Sequence, residues 1–290
     1  MIIDAHVHLW KVQNGRVNGS RVYGLGNGRS NFGGEIRQMT PPYLLNTENT
    51  VEGLIANMDY AQVNGAVVTQ EYIDGNQDAY LKLAKEKYPD RIKICSLYEE
   101  NDDFQTEGFD GIKICAGRLQ EPLENTIKVF KKAEQTGKFV SIDLADGNTQ
   151  VPVMEEIIQE CPNVKIAIGH FGMVTRAGWE DQIKLARHKN VYIESGGITW
   201  LFHDEFYPYP SAVEAILIAG ELCGMEKLMW GSDYPRTMTA ITYRMAQDFV
   251  TKSSRLSETE KRMFLGETAE KFYGYKHQES IPYTKNMVED

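Results

Sequence analysis

The sequence predicts an α/β fold of the (β/α)8 type, a TIM barrel with a long insert after the first strand and an extra C-terminal helix. Three observations predict it. Short β-type runs alternate with helical stretches, the alternation continues until eight strands have been counted, and the first strand-to-helix junction reads DAHVHLWKVQNG. Alternation implies a parallel sheet, and eight such units imply closure. A doubly wound open sheet is the competing topology, but it opens with a glycine-rich phosphate turn that this junction lacks.

The elements follow in order. MIIDAHVH is the first strand, and a polar stretch over 11–49 separates it from a helix in TVEGLIANMDYAQVNG that Gly65 is expected to close. Next come strand AVVTQ, helix QDAYLKLAKEKY and strand RIKICSLY, then a short acidic link with a stunted helix before strand GIKIC. Helix ENTIKVFKKAEQTG leads to strand FVSIDL, and helix VPVMEEIIQEC leads to VKIAIGH. A helix over 179–189 precedes VYIES, SAVEAILIAGELCG precedes LMWGSD, and helices over about 239–252 and 257–273 complete the chain. The expected organisation is one domain over 1–276 and a polar tail over 277–290, which includes His277. The insert is rich in glycine and asparagine, and long loops in compact domains are usually functional or disordered. Because it leaves the C-terminal end of the first strand, it is expected over the barrel mouth, as a lid or substrate-contact loop.

Composition narrows the class. The 290 residues are 42% apolar and 25% charged, ordinary for a globular chain, and no apolar run reaches the ~20 residues that span a bilayer. The net charge of −10 is spread along the chain, which argues against a nucleic-acid groove. No signal peptide is evident, and Cys95, Cys115, Cys161 and Cys223 form no C-x-x-C pair. Reduced thiols in a cytoplasmic protein are expected. A homodimer is compatible with base rates.

Side chains two apart on a strand share a face, so Asp4, His6 and His8 are expected together, opposite Ile3, Ala5 and Val7. Two imidazoles on one rigid strand make a metal clamp; two hydrogen-bonded core histidines are the alternative. Ile166, Ile168 and His170 fall in phase at the sixth strand, and Asp233 ends the eighth, with Pro235 just beyond. Phe139, Ser141 and Asp143 share a face, as do Gly111, Lys113 and Cys115. Ionisable groups thus converge from five strand ends, a costly arrangement unless they serve a ligand.

DAHVH, IGHFG and LMWGSDYPR resemble the amidohydrolase superfamily, and within it the amidohydrolase-2 branch of metal-dependent TIM-barrel hydrolases. That branch includes sugar-acid and pyrone-dicarboxylate lactonases and the aminocarboxymuconate-semialdehyde decarboxylase group. FLGETAEKFYG resembles its closing helix, so the resemblance spans residues 2 to about 274. It implies one divalent metal ion, zinc or manganese, held by His6 and His8, with Asp233 binding it and shuttling a proton. His170 would orient the attacking water or polarise a carbonyl. The chain departs from the branch where mononuclear members place a third histidine, at the end of the fifth strand: here stands Asp143. Either Asp143 binds the metal and favours harder ions, or it binds none and the site is metal-free, as the pyrone-lactonase resemblance permits. Lys113 occupies a position that some superfamily members carbamylate; anchoring a substrate carboxylate is the preferred reading, and an ion pair with Asp143 is the structural alternative.

Arg236 is a candidate clamp for a substrate carboxylate, or else a surface arginine. Gln70 and Glu71 end the second strand. Trp10, Tyr72 and Trp200 are candidate pocket walls, His203 a candidate at the mouth, and His188 and His277 are expected in solvent. The resulting expectation is a metal-dependent hydrolase that opens a small lactone, or cleaves an amide, with its substrate an anionic acid or lactone. A metal-dependent decarboxylase of an unsaturated or aromatic acid is the alternative, and a catalytically decayed binding barrel a third reading.

Overall fold

The computed structural model describes residues 1–100, 104–276 and 280–289. Strand β1 (Ile3–Val7) is followed by β2 (Asn14–Val17), β3 (Ser20–Gly26), β4 (Arg29–Phe32) and β5 (Glu35–Gln38) before the first helix, α1 (Val51–Ala61). Strands and helices then alternate: β6 (Gly65–Val68), α2 (Asp78–Lys87), β7 (Ile92–Leu97), β8 (Gly111–Cys115), α3 (Ile127–Thr136), β9 (Phe139–Asp143) and α4 (Val151–Glu160). The chain continues through β10 (Lys165–Ile168), α5 (Trp179–Lys184), β11 (Val191–Glu194), α6 (Ile198–Leu201), α7 (Pro210–Cys223) and β12 (Leu228–Met229). Helices α8 (Met245–Thr251), α9 (Glu258–Arg262) and α10 (Thr268–Tyr273) follow.

β1 and β6 to β12 form a single parallel sheet in chain order. The ends of that sheet meet: Ala5 N–H donates to Trp230 O at 2.8 Å, Asp233 N–H to His6 O at 2.9 Å, and His8 N–H to Tyr234 O at 2.8 Å. The fold is the expected TIM barrel. Two of its connections depart from the sequence reading. Helix α1 stops at Gln62, which takes a left-handed φ of 60°, so that Gly65 is free to begin β6. No helix links β7 and β8 among the described residues.

The core has two shells. Ile92, Ile94, Ile112, Ile114, Val140 and Ile142 point outward into the layer shared with the helices. Inside the barrel, Ile3, Ala5, Val67, Cys95, Phe139, Ala167 and Met229 pack with Phe272, Tyr273 and Tyr275. Several of these begin their strands, so the last helix plugs the N-terminal end and leaves the C-terminal end open for chemistry.

The phase assigned to β1 needs correction. Ile3 and Ala5 face the interior, whereas Asp4 accepts from Ser232 N–H and from the Tyr243 hydroxyl on the outer side. A register irregularity between Asp4 and Val7 resets the alternation, and Asp4 Oδ1 takes the His6 N–H at 3.1 Å there. His6 and His8 still turn inward. They owe it to the irregularity, not to a shared phase with Asp4.

The insert is not a loop. β2 to β5 form an antiparallel four-stranded meander whose hairpins are closed by Asn18–Gly19, Asn27–Gly28 and Gly33–Gly34, all with positive φ. Two-residue turns of that kind match the twist of the flanking strands. The base of the insert is tied by paired backbone bonds between Trp10 and Asn49, both 3.0 Å. After the barrel, Asn286 donates to Tyr60 Oη, and Gln62 donates to Pro282 O, so the described part of the tail lies against α1. Among the described residues no helix is long and apolar enough to cross a membrane.

Candidate active site

The open end of the barrel holds a cavity of about 740 Å³ walled by His8, Asp143, His170, Trp200, Asp233 and Arg236, among others. That size suits a small molecule, for which pockets run roughly 300–1,000 Å³. The insert supplies part of the wall through Phe32, Arg37, Gln38 and Met39, as its expected place over the mouth required.

His6 is wholly buried, and its orientation is fixed from behind. Its Nδ1 lies 2.6 Å from Glu194 Oε1 on β11, and Glu194 Oε2 accepts from Gly196 N–H at 2.5 Å. A carboxylate can only accept, so Nδ1 donates and Nε2 is presented to the barrel axis. There His6 Nε2 meets His8 Nε2 at 3.1 Å, and His8 Nε2 lies 3.0 Å from Asp233 Oδ1. The other Asp233 oxygen accepts from Trp200 Nε1 at 2.7 Å. Burial, then the Arg236 charge, push His8 well below 6.5, so it is neutral. Burial alone would raise Asp233, but His8 and Arg236 outweigh it and hold the carboxyl below the usual carboxylate range.

His170 reaches the cavity by a different route from the one its phase predicts. Ile166 and Ile168 face the helices, and β10 ends at Ile168; His170 then takes a φ of 54°, which swings its ring inward. Asp233 also has a left-handed φ, 58°. Backbone conformations of this kind are uncommon for residues other than glycine and cluster at functional sites. His170 Nδ1 donates to Gly196 O at 2.8 Å, and its Nε2 faces Asp143 Oδ2 at 3.5 Å. Burial works against the imidazolium, yet the Asp143 charge outweighs it and lifts His170 from 6.5 to about 10. Asp143 is itself held well below its ordinary value: burial opposes ionisation, and Lys113 and His170 overcome it. Lys113 is fully buried with Nζ 2.6 Å from Asp143 Oδ1, so it bears on the cavity through Asp143 and does not line it. The ion pair with Asp143 is therefore present.

The donor set fits a divalent ion. His6, His8 and Asp233 offer ligand atoms within 4.8 Å of one another, and so do His6, Asp143 and His170; the expected four-residue set is therefore split between two triads that share His6. Asp233 Oδ1 and Asp143 Oδ2 are buried without a well-aligned hydrogen bond. Buried acceptors of that kind call for a cation or donor. Two imidazole nitrogens 3.1 Å apart are also close to the roughly 3.3 Å that two ~2.0 Å bonds at a tetrahedral angle produce.

Other candidates sort by position. Glu71 lines the cavity and pairs with Arg118 at 2.9 Å, whereas Gln70 is engaged with Asp78 and Cys95 O. Trp10 and Tyr72 are buried away from the cavity wall. His203 is exposed beside Asp204, His188 pairs with Glu155, and His277 lies outside the described residues. Besides Arg118, which follows β8 and lies in the cavity wall, three residues of the site escaped the sequence reading. Glu194 carried a signal, as the in-phase carboxylate ending VYIES; Asp74 and Arg37 sit in a loop and an insert where periodicity says nothing.

A family model described as amidohydrolase, of the Amidohydro_2 group, matches residues 3–275. The chain belongs to the amidohydrolase-2 family. It is therefore an enzyme of the amidohydrolase superfamily. Solved structures share its fold at low identity. A probable 2-pyrone-4,6-dicarboxylic acid hydrolase from Acinetobacter baumannii, with citric acid bound, aligns with a TM-score of 0.69 at 20% identity, covering 94% of this chain and 99% of that one. An amidohydrolase from Burkholderia multivorans with bound zinc gives 0.68 at 14%, covering 95% and 100%. A 5-carboxyvanillate decarboxylase from Novosphingobium aromaticivorans, complexed with manganese and 4-hydroxy-3-methoxy-5-nitrobenzoic acid, gives 0.56 at 16%, covering 80% and 82%. No curated protein matches the chain in sequence.

Proposed function

We propose that this amidohydrolase-2 enzyme is a metal-assisted hydrolase that opens a small anionic lactone at the barrel mouth. The observation that carries the reading is the His6–His8–Asp233 triad, in which an Asp233 oxygen without a well-aligned hydrogen bond lies by two imidazole nitrogens that are 3.1 Å apart. His6, His8 and Asp233 would hold a divalent ion, zinc or manganese, which would supply Lewis acidity and lower the pKa of a water toward ~7. Asp233 Oδ1 is the base: it lies in the cavity wall, ionised, while Trp200 restrains its other oxygen. It accepts the proton from the attacking water and returns it to the departing alkoxide oxygen. His170 is held as an imidazolium by Asp143, and its positive charge in the cavity wall polarises the lactone carbonyl. Asp143 serves His170 and Lys113; as a ligand it would act in the second triad.

The anionic character of the substrate follows from the wall. Arg37, Arg118 and Arg236 all line the cavity, and Arg236 Nη1 is buried without a hydrogen bond. Its other terminal nitrogen is held by Asp74 at 2.6 Å, which leaves Nη1 for a substrate carboxylate. The structural likeness to hydrolases and to decarboxylases alike makes the product the deciding readout. Carboxylated five- and six-membered lactones and aromatic carboxylic acids are supplied as a panel, with acid release followed by a pH indicator and carbon dioxide by gas analysis. Acid release from a lactone supports the proposal. Carbon dioxide from an aromatic acid with no lactone opened would replace it with decarboxylation.

A further inference from the structure

A buried polar chain runs from the insert to the reaction centre. Ser30 on β4 donates its hydroxyl to Gln13 Oε1 at 2.6 Å, and Gln13 Nε2 donates to Asp74 Oδ1 at 3.1 Å. Arg236 Nη2 donates to Asp74 Oδ2 at 2.6 Å, Arg236 Nη1 lies 3.8 Å from Asp233 Oδ1, and Asp74 Oδ2 lies 3.9 Å from His8 Nδ1. Ser30, Gln13 and Asp74 are each at most 4% exposed. The links from Ser30 through Gln13 and Asp74 to Arg236 Nη2 are hydrogen bonds, and the last steps to His8 and Asp233 are electrostatic contacts in a buried setting, where such contacts are strong.

The backbone reinforces the link. Asn14 N–H donates to Asp74 O at 3.2 Å, and Arg16 N–H donates to Tyr72 O at 2.8 Å, so the first strand of the insert is seated on the loop that carries Asp74. The seat demands glycine: a Cβ on Gly15 would stand 2.2 Å from Tyr72 O, and one on Gly75 would stand 2.3 Å from Asn14 O. The insert and the loop after β6 are therefore built to touch at main-chain distance.

We propose that Asp74 is a positioning residue: through Gln13 and Ser30 it makes the seating of the insert sheet a condition for the arrangement of His8, Arg236 and Asp233. The inference rests on the reading of His8 and Asp233 as the reaction centre. Displacing the insert, which also supplies Arg37 and Met39 to the cavity wall, then alters the floor and the wall together. Substrate fit against the insert is thereby transmitted to the residues that act on the substrate.

The test reads the imidazoles themselves, in metal-free protein, and does not depend on turnover or on metal binding. The chain has six histidines, so a nitrogen-15 histidine spectrum is simple, and His8 is assigned by its loss in His8→Asn. Gln13→Leu and Ser30→Ala remove links remote from the centre, and Asp74→Asn removes the hub. The expected result is displacement of the His8 resonances in all three variants, largest in Asp74→Asn, with those of His188, paired on the surface with Glu155, unmoved. Adding Gln13→Leu to Asp74→Asn should move His8 no further. If Asp74→Asn does not fold, the two remote variants decide alone. Folded Gln13→Leu and Ser30→Ala proteins with wild-type His8 resonances would overturn the proposal, as would displacement in Asp74→Asn only. Failure to bind zinc or open a lactone would strike the proposed function and leave this result standing.

Discussion

Replacing Glu194 by glutamine probes the support of His6 without changing its size. Glu194 Oε1 faces His6 Nδ1 at 2.6 Å, and Oε2 accepts Gly196 N–H at 2.5 Å; both Glu194 and His6 are fully buried. The carboxylate meets two donors with two acceptors. A glutamine amide offers one acceptor and one donor, so one contact becomes donor against donor. If the amide keeps its oxygen on His6, Gly196 N–H is orphaned, at a cost of about 1–3 kcal/mol. If the amide turns, its N–H meets His6 Nδ1, the imidazole proton moves to Nε2, and the nitrogen facing His8 loses its lone pair. Loss of such a partner behind a metal-ligating histidine typically costs 10–100-fold in affinity, about 1.4–2.7 kcal/mol. Two assays follow: zinc affinity by competition with a chromogenic chelator, and thermal unfolding, where roughly 2–4 °C is lost per kcal/mol in proteins somewhat smaller than this one. Wild-type zinc affinity together with a wild-type melting temperature in Glu194→Gln would refute the role assigned to this pair.

Three further outcomes are expected. Asp233→Asn keeps the shape of the side chain but removes the base, and steady-state turnover of any lactone substrate should fall by about 10²–10⁴-fold; activity within a few-fold of wild type would count against Asp233 as base. Gly169→Ala places a Cβ 2.0 Å from Asp143 Oδ1 and 2.7 Å from Glu194 Oε1, so about 1–3 kcal/mol of stability should be lost in denaturant titrations, together with activity. His170 has a folded pKa of about 10 against an ordinary 6.5, so its contribution to stability is complete below 6.5 and lost as pH rises through about 10. The stability advantage of wild type over His170→Asn should therefore shrink across that window; an advantage independent of pH would contradict the Asp143–His170 pairing.

Much of this was legible from periodicity. Strands that face helices on one side and a packed interior on the other alternate cleanly, and β8 and β9 place Lys113 and Asp143 inward as their phase requires. Phase misleads where the backbone departs from an ideal strand: at the irregularity in β1, and at His170, where a left-handed residue overrides the alternation. Neither is visible in residue type. The insert is a different case, because its signal was present and conflicted with composition. VNGS, GNGR and FGGE are two-residue hairpin turns spaced by short β-capable runs, but the same glycines and asparagines read as loop when counted together. Asp74 and Arg37 were out of reach because their positions depend on how that sheet docks. Glu194 was within reach, since a carboxylate in phase with the barrel interior at the end of β11, one strand beyond the β12 that adjoins β1, can hold the back of a buried His6.

Metal removal and return bears most directly on the metal-assisted reaction. Protein purified without chelator is analysed for metal content, stripped, and assayed against the lactone panel before and after addition of zinc or manganese. Expected are about one divalent ion per chain, loss of lactone opening on stripping, recovery on return, and neither binding nor recovery in a His6→Asn, His8→Asn variant. Full lactone opening by protein that retains no metal would contradict metal assistance.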